Sequence, residues 1–150
     1  MMGSRARIGR RGLLKMSLAA GVVPGGLFAE KSEGAMRIAC RFADQMFHIG
    51  LAQTPVGEAL MAQLPLDLTI EDYGSNEKIA YLPQKLSGAV SEPFGNEAPG
   101  DFCYFAPWGN LVFFYEGYHY SRGLIRLGRI EGGIAPLLLR GSFPLRISSA

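Results

Sequence analysis

From residue 36 onward the chain is cut into short apolar or alternating runs by Gly, Pro, Asn and Asp, and only one longer stretch has helical spacing. That punctuation restricts the fold to a sheet that closes on itself. Residues 36–42 (MRIACRF) alternate in part and read as a half-buried strand. Ala43-Asp44-Gln45 is a turn, and Met46 to Ala52 returns as the second arm of a hairpin. Thr54-Pro55 opens the helix, with threonine as N-cap and proline at the first helical position. Val56, Leu60, Met61 and Leu64 share one face, and Pro65 ends the helix. Residues 66–73 (LDLTIEDY) alternate cleanly. Residues 74–99 form a long polar excursion with strand-like pieces at 78–81 and 85–90. Phe102 to Phe105 and Leu111 to Tyr115 make a very aromatic hairpin around Ala106-Pro107-Trp108-Gly109-Asn110. Gly123 to Ile130 is a further strand, with Arg126 and Arg129 exposed or paired. Residues 134–139 suit one helical turn, and 143–147 form the last strand. The expectation is a mainly β domain over 36–148, a closed barrel of roughly seven or eight short strands with one main capping helix and a short helical turn.

The first 29 residues read as an address rather than as structure. Residues 1–15 carry Arg5, Arg7, Arg10, Arg11 and Lys15 and no acid, 16–29 are apolar or small, and the first acid is Glu30. The apolar run is too short and too glycine-rich for a bilayer span, which takes about 20 apolar residues. Gly9-Arg10-Arg11-Gly12-Leu13-Leu14-Lys15 resembles a twin-arginine signal, with Arg10 and Arg11 as its pair. An ordinary secretory leader with a chance arginine pair is the alternative. Ala29 suits the cleavage position, which leaves 30–35 as a short linker. The expected partner of the leader is the twin-arginine export machinery, and the expected compartment is periplasmic or extracellular, with no stable membrane insertion after cleavage. The whole chain carries +2; the leader holds five of the positive charges and no acid, which leaves −3 for the remainder. The basic balance therefore belongs to the address, and the domain itself offers no basic face for nucleic acid.

Motifs for chemistry are sparse. The two histidines and two cysteines have no metal-ligand spacing, and no phosphate loop, dinucleotide fingerprint or nucleophile elbow is present. No catalytic set, metal or cofactor is therefore assigned. Cys40 and Cys103 each lie in an apolar run, the usual place for a buried free thiol, although an oxidising compartment also permits a disulfide. His119 and Glu116 are three residues apart, so strand geometry puts them on opposite faces.

Three blocks carry a resemblance. Gly100-Asp101-Phe102-Cys103-Tyr104-Phe105-Ala106-Pro107-Trp108-Gly109-Asn110-Leu111-Val112-Phe113-Phe114-Tyr115 is similar to the signature segment of the bacterial cyclophilin-like fold proteins. Residues 120–130 (YSRGLIRLGRI) and 76–86 (NEKIAYLPQKL) resemble two other segments of that family. The resemblance implies a closed barrel capped by helices, like that of the prolyl isomerase cyclophilins. It does not imply their activity, because fold and function separate readily. The cyclophilin Phe-His-Arg segment is not matched: Phe47-His48 is followed by Ile49 and lies in the early hairpin.

Two groups of residues are candidates for binding. Trp108 in an apolar turn can lie over a barrel mouth, and Asn110 can donate and accept hydrogen bonds, with Tyr104 nearby. Packing as a lid and closing the turn are the plain alternatives. Tyr81, Gln84 and Lys85 on the long excursion can approach the same groove, or remain solvated loop side chains. The expected ligand is a small molecule or peptide held beside the barrel. A prolyl isomerase and an accessory interaction domain, the latter with an exposed apolar patch around 113–120, are the alternatives.

Overall fold

The computed structural model describes residues 36–150. The leader, its Arg10-Arg11 pair and the linker lie outside the described residues. Eight strands form a closed antiparallel barrel: β1 (Met36–Phe42), β2 (Gln45–Leu51), β3 (Leu66–Tyr73), β4 (Glu77–Tyr81), β5 (Asp101–Phe105), β6 (Asn110–Phe114), β7 (Leu124–Glu131) and β8 (Ser142–Ser149). Around the barrel the order is β1-β2-β7-β5-β6-β4-β3-β8 and back to β1. Helix α1 (Pro55–Gln63) links β2 to β3, and a single 3-10 turn (Ala135–Leu138) precedes β8.

Each local signal acts as its chemistry dictates. The Thr54 side chain accepts a hydrogen bond from the Gly57 N–H at 3.1 Å, and Pro55 occupies the first turn, where its missing N–H costs nothing. Val56 and Leu60 are buried by the helix, and Met61 and Leu64 pack against the same core. Inward residues of successive strands, among them Ile38, Phe42, Ile49, Ile70, Phe102, Phe113, Leu127 and Ile147, fill the barrel. Phe113 meets Phe102 at 5.0 Å and Phe47 edge-on at 6.2 Å, so the aromatic hairpin supplies the centre of the packing.

Gly128 lets the wall close. β7 carries an irregularity where it pairs β5, and a Cβ at Gly128 would overlap the backbone carbonyl of Gly50 on β2. A side chain there would push β2 off β7.

One expected strand is absent. Residues 85–90 form loop, because β4 is already paired on both sides, by β3 and by β6, and a closed barrel has no free edge for another strand. Leu86 is instead held by a hydrogen bond from its N–H to the Tyr104 hydroxyl at 3.1 Å. Cys40 and Cys103 are both free and buried. Cys40 packs inside the barrel and Cys103 on its outer wall. Burial pushes both thiols up, Cys103 to about 12, so neither is a ready nucleophile near neutral pH.

Candidate functional site

The outer face of β4, β6, β5 and β7 is not left to water. Along β6 the side chains alternate: Leu111 and Phe113 face the core, and Asn110, Val112 and Phe114 face outward. All five are buried, because two loops cover the outward set. A second apolar cluster, Cys103, Val112, Phe114, Tyr118 and Leu124, with Phe94, Phe105 and Tyr120 against it, lies on this outer wall.

Buried polar contacts tie those loops down. Asp101 on β5 is fully buried on the outer face and accepts four hydrogen bonds. They come from Arg129 at 2.7 Å, Arg126 at 3.2 Å, the Tyr118 hydroxyl at 2.6 Å and the Ala98 N–H at 3.1 Å. Burial, with the hydrogen bond to Asp101, pushes the Tyr118 phenol far up. Arg126 also lies over the Phe94 ring, 4.5 Å from its centroid. Ser91 bridges the Tyr120 hydroxyl at 2.8 Å and the Gly123 N–H at 2.9 Å. Gly123 has φ +96, and a Cβ there would meet Pro107, so this join of loop to β7 requires glycine. Asn76 holds the other end, donating to the Gly117 carbonyl at 3.2 Å and accepting from the Tyr115 and Glu116 N–H groups.

Between these loops and the β3–β4 turn the wall is open as a cavity of about 420 Å³. Its floor is Asn110, Val112 and Phe114 of β6, with Glu77 of β4, Phe105 of β5 and Leu124 of β7 beside them. Tyr73 and Trp108 stand at its sides, half exposed, and meet edge-to-face at 5.6 Å. Trp108 also meets Phe105 edge-to-face at 5.4 Å, and Phe114 stacks flat on Tyr118 at 3.6 Å. The size falls within the range of about 300–1,000 Å³ usual for ligand pockets. Asn110 is 1% exposed. Its Nδ2 donates to the Leu111 carbonyl at 3.1 Å, while its Oδ1 has no partner among the described residues. Burial pushes the Glu77 carboxyl up. Glu77 makes no ion pair among the described residues.

Of the six candidate residues, the structure brings two together in this cavity, Trp108 and Asn110. Tyr104 faces the barrel interior, because Phe105 pairs with Asn110 and takes the outward face. Tyr81 pairs with Asn110 across β4 and β6 but is half exposed and lies off the cavity. Gln84 is exposed, and its carbonyl accepts from Gln63 at 3.2 Å. The aliphatic stem of Lys85 runs past Gly109, also off the cavity. The cavity opens on the outer wall rather than at a barrel mouth. Among the described residues no arginine lines it; Arg126 and Arg129 turn to Asp101 instead. His119 is exposed at the rim. Phe113, Phe114, Tyr115 and Tyr118 are all buried, so the 113–120 stretch does not form the exposed apolar patch expected of an interaction surface. Tyr73, Glu77, Phe105, Phe114 and Tyr118 were not among the candidates. The available signal was the unbroken apolar run of residues 111–115, which marks a strand covered on both faces. Among the described residues no group of three or more His, Cys, Asp or Glu is placed to hold a metal ion.

Comparison with known proteins agrees with the barrel fold. A solution structure of a hypothetical protein from Archaeoglobus fulgidus is similar in fold, with a TM-score of 0.60 at 18% sequence identity over 77% of this chain and 95% of that one. No curated protein matches the chain. The model of the Cyclophilin-like family matches residues 40–148, and the chain belongs to that family.

Proposed function

We propose that this domain binds a small molecule or peptide in the groove beside the barrel, and that the ligand presents a hydrogen-bond donor to Asn110 Oδ1. The buried, unpartnered oxygen carries the reading. A buried acceptor without a partner costs about 1–3 kcal/mol, which a ligand N–H or O–H aimed at it returns. The aromatic sides supply apolar area for the body of the ligand, and the covering loops are anchored through Asp101, Ser91 and Asn76, so the groove is largely formed beforehand. The reading assigns no catalysis.

Trp108 is the sole tryptophan and stands at the groove, so its emission reports occupancy directly. Titration with N-acetylated dipeptide amides, X-Pro amides among them, and with aryl and alkyl amides is expected to give a saturable change for at least one class. Asn110→Leu is expected to weaken that binding about tenfold, the equivalent of one hydrogen bond. If every probe leaves the emission and the melting temperature unchanged, the groove is not a binding site.

The same reading places the domain outside the cytoplasm, on the strength of the leader sequence. Changing Arg10 and Arg11 together to lysine is expected to hold the full-length precursor in the cytoplasm, as shown by fractionation. Undiminished appearance of the processed form outside would assign the leader to the general secretory route instead.

A further inference from the structure

We propose that the groove selects a protonated amine, with the ammonium held beside Glu77 among aromatic rings and the apolar body lying along β6 toward Asn110. This deepens the ligand-binding reading and rests on it. Glu77 pairs with Tyr73 on one side and Phe114 on the other, so its carboxylate rises between two aromatic side chains that also line the cavity. It is half-buried and has no cationic partner among the described residues. A partly desolvated carboxylate in this position gains from a ligand cation what neighbouring lysines and arginines do not supply.

The remainder of the lining points to the same sign of charge. Among the described residues no lysine or arginine faces the cavity, and the one lining group able to become cationic, His119, is exposed at the rim. Tyr73, Trp108, Phe105 and Phe114 present π-systems whose faces attract cations, and Trp108 with Tyr73 already forms a perpendicular corner at 5.6 Å. Asn110 contributes an unpartnered acceptor, its Oδ1, while one N–H of its Nδ2 is held by the Leu111 carbonyl. An anionic ligand would meet the Glu77 carboxylate with no lysine or arginine among the described lining residues to offset it. Asn110 and Phe114 are four residues apart on one strand face, about 13 Å, so Glu77 and Asn110 mark the two ends of a slot rather than one point.

Three probes of one shape test this: phenethylamine, 2-phenylethanol and 3-phenylpropionate, each titrated at neutral pH against Trp108 emission and by calorimetry. The expected order is amine first, by about tenfold over the alcohol, with the carboxylate weakest. Glu77→Gln is expected to remove the preference for the amine, bringing its affinity to within about twofold of the alcohol's in the same variant. Equal or tighter binding of the alcohol or the carboxylate by the wild-type protein would overturn the proposal, as would an amine preference that survives in Glu77→Gln. If that variant fails to fold, the order of the three probes on wild type decides alone. Where the alcohol binds as well as the amine and Asn110→Leu weakens both, the groove reading stands and the amine selection falls. Where none of the three binds, the amine selection falls, and the amide titration decides the groove reading separately.

Discussion

Replacing Asp101 with alanine is expected to destabilise the domain by about 3–5 kcal/mol, among the largest effects of any single change on its outer wall. The reason lies in what the carboxylate leaves behind. Arg126 and Arg129 are 27% and 53% exposed and can turn to water when their partner is removed. The Tyr118 hydroxyl and the Ala98 N–H have less freedom, since both lose an acceptor beneath the loops that cover the wall. Each buried donor left without an acceptor costs about 1–3 kcal/mol. For a domain of this size the melting temperature should fall by roughly 10–20 °C. Asp101→Asn keeps the volume but turns an NH2 toward groups that are themselves donors, so at least half of the loss is expected to remain. Arg129→Ala, which removes a largely hydrated charge, should cost under about 1 kcal/mol. Equilibrium unfolding in urea separates these cases. An Asp101→Ala variant within 1 kcal/mol of wild type would show that the four hydrogen bonds do not hold the wall. The same variant links stability to the groove: Tyr118 stacks on Phe114, so loosening it should speed amide exchange at residues 94–98 and 115–120 before the barrel strands are affected.

The barrel was legible in the sequence, because its signals are local and agree with one another. Thr54-Pro55 opens the helix, Gly and Pro separate the strands, and residues 66–73 alternate along their whole length. The strand expected at 85–90 failed for a nonlocal reason. Its sequence, Lys85-Leu86-Ser87-Gly88-Ala89-Val90, alternates only over its first three residues, and closure of β4 onto both β3 and β6 left it no partner. The site was legible only in part, and parity is the cause. Trp108 and Asn110 stood out as an aromatic and an amide in a turn between apolar runs. Choosing Tyr104 over Phe105 required the hairpin register, which sets Phe105 opposite Asn110 and so sends Tyr104 inward. Tyr73 and Glu77 come from the far side of β6, joined to it through β4, and no local pattern carries that adjacency. Asp101 was equally hidden. A lone acid at the head of a strand reads as solvated, and only the pairing of β5 with β7 brings Arg129 directly opposite it.

The second large effect lies on the inner face, where Lys78 is fully buried with its Nζ 3.0 Å from Asp72 Oδ1 and 5.7 Å from the centre of the Phe42 ring. Asp72 also accepts from the Gly141 N–H at 2.7 Å and the Tyr115 hydroxyl at 3.2 Å, and that hydroxyl accepts in turn from Arg140 at 2.6 Å. The two members of the pair should respond very differently to removal. Asp72→Ala strands a buried ammonium and is expected to cost about 3–5 kcal/mol. Lys78→Met keeps the apolar stem and the volume, and Asp72 retains Gly141, Tyr115 and Arg140, so the cost should stay within about 1 kcal/mol or become a gain. The pair also sets an acid limit. Burial works to raise the Asp72 carboxyl, but hydrogen bonds from the Gly141 N–H and Lys78, with the charge of Lys78 and the Tyr115 hydroxyl, outweigh it and hold the carboxyl below its ordinary value of 3.8. A carboxyl lowered on folding contributes stability that is fully present above the unfolded value and is lost as pH falls through the folded one. Wild-type stability should therefore begin to drop as pH passes below about 4, and the drop should be shallower in Asp72→Ala, which has no such carboxylate to protonate. Urea unfolding of the three proteins between pH 2 and 7 reads both effects together. A cost under about 1 kcal/mol for Asp72→Ala would mean that the buried ammonium needs no anion and that the Phe42 ring suffices to hold it.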